Sequence, residues 1–226
     1  VRTVEHILSA FYALGIDNII VELDGSEVPI MDGSSAPFVY LIYEAGIKKL
    51  PNLRSFIKIK KRIVFEEGER YIELRPYSGF KISCEISYKH SFLKYQSLSF
   101  DLSKNSYESE IAPCRTYCFL EDVEKLRNMG LIKGGSLKNA IVINGYRVLN
   151  REGLRFKDEF VRHKILDIIG DFSLLGKRLL AWIIAKRTGH VFHHKVIKYI
   201  MENPSFFKII HLPIKRRKVY NNKMCR

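Results

Sequence analysis

The chain has 226 residues, 46% of them hydrophobic, and a formal net charge of +14. That length fits one large domain or two small ones with a buried core. No apolar run reaches the roughly 18 residues of a membrane span, the charged start Val1-Arg2-Thr3-Val4-Glu5-His6 does not read as a secretory signal, and cysteines at 84, 114, 118 and 225 without a CxxC pair argue for reduced thiols in a cytoplasmic protein.

The charge bias suits anionic partners such as phospholipid headgroups or phosphorylated substrates, or else a lysine-rich surface with no partner. No recognised motif supports nucleic acid, which is not expected as a partner. Lys and Arg are scattered except in the run from His211 to Lys218, expected to be a solvated end with at most a weak membrane-surface contact. Residue 1 is Val rather than Met, so the chain reads as an excised or truncated piece.

In chain order, apolar residues at 4, 7, 8, 11 and 14 predict a helix ended by Gly15. Residues 18–23 predict a β-branched strand, and Asp32-Gly33-Ser34 a loop capping a helix over 36–45. Residues 47–55 read as a linker. Strands are predicted over 56–66, 70–76, 80–88 and 96–101, a short helix over 121–129, and a strand over 140–143. A long helix over 160–176, a strand over 181–186 and a helix over 193–202 complete the reading. This irregular alternation favours α+β over a doubly wound sheet.

His163 and Asp167 stand four apart, on one face of the long helix, where they could hold one ion; the plain alternative is a surface histidine paired with an aspartate. Asp171 extends that face among Ile165, Leu166, Ile168 and Ile169, and buried carboxylates so placed are costly unless paired. Glu5-His6 offers another imidazole with a carboxylate pointing about 100° away, suited to general base rather than to the same ligand role; the plain alternative is a helix start with no function. His190, after Gly189, suits a general acid with Asp171 as its partner, or else a solvated turn. Thr116 offers a hydroxyl for an oxyanion, an assignment that has no force from the residues alone. Cys114 and Cys118 lack a second Cys/His pair at zinc spacing, and Gly134-Gly135-Ser136 lacks the lysine of a phosphate loop.

Thr3-Val4-Glu5-His6-Ile7-Leu8-Ser9-Ala10, Glu27-Val28-Pro29-Ile30-Met31-Asp32-Gly33-Ser34, Arg115-Thr116-Tyr117-Cys118-Phe119, Lys133-Gly134-Gly135-Ser136, Phe160-Val161-Arg162-His163-Lys164, Asp167, Gly170-Asp171 and Gly189-His190 follow in one order. To about residue 200 this sequence closely resembles the UDP-3-O-acyl-N-acetylglucosamine deacetylases, zinc amidases that commit bacteria to lipid A synthesis. The resemblance implies Zn2+, with Fe2+ as the other metal, held by His6, His163 and Asp167. It implies Glu5 as general base, His190 as general acid, Asp171 as the carboxylate orienting it, and Thr116 as the oxyanion donor. Lys164, Arg70 and Arg187 fall where the family keeps cations near the substrate diphosphate, and Tyr88 where an aromatic stacks on uracil. Tyr117 stands where phenylalanine is common. Phe119, Val123, Ile132 and Ser136 are implied lining positions for the acyl chain.

The implied fold is α+β, two similar two-layer domains with the site in the cleft between them. Residues 1–46 would be the C-terminal remainder of domain I, 47–55 a linker, 56–210 domain II with a βαβ insert at about 119–149, and 211–226 a basic tail. Family members begin with a β-rich segment before the first helix here. This chain lacks it, so an expected alternative is a truncated, weakly active or inactive homologue that binds acyl-nucleotide sugar or anionic membrane. The expected partners are the acylated UDP-N-acetylglucosamine substrate and, weakly, the inner-membrane surface; the expected state is a monomer.

Overall fold

The computed structural model describes residues 1–103, 105–128 and 134–213, apart from the side chains of 125–127. A seven-stranded sheet is built around one strand, β9 (Arg178–Lys186). Residues 178–180 of β9 run parallel to β1 (Arg54–Ile59). Residues 181–186 lie between antiparallel β3 (Arg70–Pro76) and parallel β4 (Phe80–Ser87). The edges are β2 (Ile63–Glu67) beside β3, β5 (Tyr95–Asp101) beside β4, and β10 (Phe207–Leu212) beside β1. Strict alternation puts Phe80, Ile82, Cys84 and Ile86 of β4 and Ala181, Ile183 and Ala185 of β9 on the buried face.

Helix α5 (Glu159–Phe172) covers that face. It is buried on nearly every side, Arg162 and Lys164 being the exceptions, because α1 (Glu5–Leu14) packs on its other side. Helix α2 (Ala36–Ala45) packs on α1, and α6 (His190–Glu202) on α5. The short α3 (Tyr107–Glu110) supplies the fully buried Tyr107, whose hydroxyl lies 2.7 Å from Ser9 Oγ and donates to Ser35 Oγ at 2.9 Å; Ser35 Oγ in turn donates to the His6 carbonyl at 2.8 Å. This closed polar chain fixes the first turn of α1. A smaller sheet joins β6 (Tyr117–Phe119), parallel to β7 (Ile141–Asn144), to β8 (Arg147–Val148), with α4 (Leu120–Asn128) between β6 and β7 in sequence. The architecture is α+β, with sheets packed against helices, as the sequence implied.

Gly170 sets the crossing of α1 and α5. A Cβ there would collide with the carbonyl oxygen of Glu5 and lie 2.8 Å from its carbonyl carbon and 2.9 Å from its Cα, all backbone. Gly170→Ala is therefore expected to destabilise by about 1–3 kcal/mol through overpacking, read as a lower urea midpoint. An unchanged midpoint would mean that the helices separate without cost.

Several elements differ from the sequence expectation. Residues 18–23 form no strand, and Ile20 is 89% exposed. β-branched composition alone does not hold a strand without a partner, and no strand among the described residues pairs with it. The 56–66 strand is broken at Lys60–Arg62 into β1 and β2. The helix expected over 160–176 becomes α5 followed by a 3-10 turn, Ser173–Leu175, closed by a left-handed Gly176. Helix α6 starts at His190, three residues early, because Gly189 is extended and begins it. Arg54, Ser55, His211 and Leu212, read as linker and tail, pair in β1 and β10. Ile132 and residues 214–226 lie outside the described residues.

On the outer face of β3, Glu73 is covered by Arg62, Arg75 and Tyr71. Arg75 Nε donates to it at 2.7 Å and the Tyr71 hydroxyl at 2.5 Å, and Arg62 pairs with it as well. The Arg75 and Arg62 guanidiniums hold its carboxyl down to about 2 from the ordinary 4.5. A depressed carboxylate stabilises the fold above its unfolded value and loses that contribution as pH falls through the folded one. Stability to urea is thus expected to drop between pH 4.5 and about 2, with a shallower drop in Glu73→Gln. An equal slope in both proteins would remove Glu73 from the acid response.

Candidate metal centre

One turn of α5 carries His163 and Asp167, and the first turn of α1 presents His6 against them. The His6 and His163 rings meet edge to face, 5.0 Å between centroids. His6, His163 and Asp167 are all buried, and one ligand atom from each lies within 4.8 Å of the others. Nδ1 of His163 lies 3.0 Å from the Cys114 carbonyl oxygen. A carbonyl only accepts, so Nδ1 carries the proton and Nε2 presents a lone pair. That lone pair faces Asp167 Oδ1 at 3.3 Å, and Oδ1 has no hydrogen-bond partner; nor has the buried Nδ1 of His6.

Burial, then the neighbouring His163, depresses the proton affinity of His6 to about 4, so its imidazole is neutral and free to ligate near neutral pH. Burial works against ionising Asp167, yet Lys164, His163, His190 and His6 together hold its carboxyl well below the usual range. Two buried lone pairs pointing at each other and a third orphaned nitrogen constitute a donor set that fits a divalent cation. Two imidazole nitrogens and one carboxylate oxygen suit zinc or ferrous iron.

A second cluster, Asp171, His190 and His193, also brings its ligand atoms within 4.8 Å of one another. It differs in being satisfied by hydrogen bonds. His190 Nδ1 donates to Asp171 Oδ2 at 2.8 Å, His193 Nδ1 donates to the same oxygen at 2.6 Å, and His193 Nε2 meets Thr188 Oγ1 at 2.7 Å. These contacts favour a proton-handling group over a metal site. The Asp171 hydrogen bond, against the opposing effect of burial, raises His190 to about 9. Its Nε2 points back at the first cluster, 4.0 Å from Glu5 Oε1 and 3.9 Å from Asp167 Oδ2. Glu5 and His190 therefore both border His6, His163 and Asp167.

Thr116 is held by its backbone: its N–H donates to the Gly33 carbonyl at 2.8 Å and its carbonyl accepts from Ile141 N–H at 2.8 Å. Gly33 is left-handed at φ +85, and a Cβ on it would run into the Asn139 carbonyl, so that contact requires glycine. The preceding residue, Arg115, is almost fully buried and makes an ion pair with the fully buried Glu159, Nε to Oε1 3.0 Å. In sequence Arg115 stands between Cys114, whose carbonyl accepts from His163 Nδ1, and Thr116.

Lys164, expected near a diphosphate, is committed to Asp167 at 2.9 Å and lies 5.4 Å over the Tyr117 ring. The Tyr117 hydroxyl is 2.7 Å from that of Tyr88, and Tyr88 stacks edge-on with Phe119 at 5.3 Å. Beyond Tyr88 opens a cavity of about 500 Å³ lined by Arg70, Lys89, Arg187 and Thr188 among others. In it Arg70 pairs with Glu67 and Arg187 with Glu69. Val123 lies half-buried on α4, and Ser136 is exposed in the 136–139 turn, where its N–H donates to Asn139 Oδ1 at 2.8 Å. Sequence reasoning missed His193 and the Cys114 carbonyl. The spacing of His190 and His193 on one helix face was a usable signal for the first; a backbone acceptor leaves no trace in side-chain identity.

Fold and cluster together define an α+β protein with a buried His-His-Asp group that could hold a cation, flanked by a carboxylate and a histidine. The family model described as UDP-3-O-acyl N-acetylglycosamine deacetylase matches residues 1–202. The UDP-3-O-acyl-N-acetylglucosamine deacetylase of Myxococcus xanthus (strain DK1622) is 46% identical over 97% of this chain and 69% of its own length. Those of Teredinibacter turnerae (strain ATCC 39867 / T7901) and Acidithiobacillus ferrooxidans (strain ATCC 53993 / BNL-5-31) are 45% and 48% identical, covering 93% and 89% of this chain and 70% and 67% of their own lengths. The chain belongs to the UDP-3-O-acyl N-acetylglycosamine deacetylase family, whose members are enzymes, deacetylases by name. Among the described residues no helix is long and apolar enough to cross a membrane.

Proposed function

We propose that the chain hydrolyses the N-acetyl group of UDP-3-O-acyl-N-acetylglucosamine, giving acetate and UDP-3-O-acyl-glucosamine, the committed step of lipid A synthesis, in the cytoplasm. The observation that carries this reading is Asp167 Oδ1, unpartnered and facing His163 Nε2, beside His6, whose buried Nδ1 also lacks a hydrogen-bond partner. His6, His163 and Asp167 would hold the ion, zinc or ferrous iron, which when bound supplies Lewis acidity at the amide carbonyl and at the attacking water.

The chain's own residues do the rest. Glu5 takes the proton of the water as its oxygen bonds to the carbonyl carbon. The Thr116 hydroxyl donates to the carbonyl oxygen as negative charge develops there. His190 hands a proton from Nε2 to the sugar nitrogen as the C–N bond breaks, so that the amine leaves neutral. Asp171 keeps His190 in the tautomer that makes this possible. Arg70, Lys89 and Arg187 give the cavity beyond Tyr88 three cations against Glu67 and Glu69, suited to an anionic diphosphate. Phe119 and Val123 are proposed to face the acyl chain. Residues 1–46 are proposed as one side of the cleft and residues 56–210 as the other.

The test is acetate release from UDP-3-O-acyl-N-acetylglucosamine by the purified chain. Turnover is expected, to be abolished by a chelator and restored by zinc or ferrous iron. No release under any metal would refute the reading.

A further inference from the structure

His193 has no part in the chemistry above, yet it is 1% exposed and makes polar contacts at both ring nitrogens. Nδ1 donates to Asp171 Oδ2 on α5 at 2.6 Å. Nε2 and Thr188 Oγ1 share a proton at 2.7 Å. Its backbone N–H donates to the Gly189 carbonyl at 3.0 Å. One side chain thus ties α5 to the turn that starts α6. That turn is conformationally demanding at Arg187, a non-glycine residue held left-handed at φ 52.

Asp171 Oδ2 is the oxygen on which both His190 and His193 converge. Without His193, the buried carboxylate would keep only His190, a side chain 42% exposed, and would be free to turn toward His194, whose Nε2 lies 3.8 Å from Oδ1. Either movement takes the Nδ1 anchor away from His190. Thr188 also lines the 500 Å³ cavity with Arg187, so the same contact joins the cavity wall to the base of α6.

We infer that His193 is a positioning residue: it clamps Asp171 and the Thr188 turn so that His190 keeps Nδ1 on Asp171 and Nε2 toward the His6–His163–Asp167 cluster. This rests on the reaction proposed above. His193 itself, being buried, does not touch substrate.

The experiment compares steady-state acetate release and metal content of the full chain with those of His193→Leu, His193→Asn and Thr188→Val. His193→Leu is expected to lower kcat about 10–100-fold, the range typical of lost supporting contacts, with KM and metal content unchanged. His193→Asn places an amide N–H where Nδ1 was and is expected to recover most of that loss. Thr188→Val is expected to fall between them. The inference is overturned if His193→Leu turns over like the parent, if His193→Asn is as poor as His193→Leu, or if the loss lies in KM alone. Should His193→Leu fail to fold, Thr188→Val decides: a parental kcat overturns the clamp and a lowered kcat supports it. An inactive parent chain sinks the proposed reaction and the inference with it, whereas an active parent with an indifferent His193→Leu sinks the inference alone.

Discussion

Glu5→Gln is expected to retain the metal and to lose about 10²–10⁴-fold in turnover, the usual contribution of a positioned general base. Glu5 follows directly from the helix geometry at His6. Adjacent residues on a helix diverge by about 100°, so while His6 points into the buried cluster, Glu5 stands beside it with its side chain 20% exposed and Oε1 4.0 Å from His190 Nε2. Glutamine keeps the shape but cannot accept a proton from water. The backbone contact of Glu5 with Gly170 does not involve its side chain, so folding is expected to be unaffected. Metal analysis, circular dichroism and acetate release check the three parts. Turnover within tenfold of the parent would exclude Glu5 as the base.

Arg115→Met is expected to cost about 3–5 kcal/mol of stability, the range for removing one partner of a buried ion pair, and to impair the site as well. Glu159 is fully buried and accepts Arg115 Nε and the backbone N–H of Arg115, both at 3.0 Å, and that of Arg155 at 2.6 Å. Methionine fills the volume but leaves the carboxylate short of its countercharge. Arg115 also donates to the Gly153 carbonyl at 2.7 Å and to Glu152 at 2.6 Å. It therefore fastens the 113–116 segment on three sides. On that segment the Cys114 carbonyl fixes the His163 tautomer, so weaker metal retention should accompany the lower urea midpoint. A variant as stable as the parent would show that Glu159 is satisfied by backbone donors alone.

How much of this was legible in the sequence depends on the kind of signal each part left. The histidine and carboxylates of α5 were legible because apolar residues at helical spacing fixed the face they share. Glu5-His6 and Gly189-His190 were informative only through the motifs around them. Residues 18–23 were misread because composition reports a preference for strand and not the presence of a partner. β10 went unseen because its partner β1 lies about 150 residues earlier, and such pairing has no local signature. The ion pair of Lys164 with Asp167, one helical turn on, follows from i,i+3 geometry. The depth of Gly170 against Glu5 required the packing of two helices remote in sequence.

Metal analysis of the purified parent chain, His163→Ala and His190→Ala tests the identity of the cation ligands. The parent is expected to carry one zinc or iron per chain, His163→Ala to carry almost none, and His190→Ala to match the parent. An ion that survives in His163→Ala but is lost in His190→Ala would place it among Asp171, His190 and His193, and would contradict ligation by His6, His163 and Asp167.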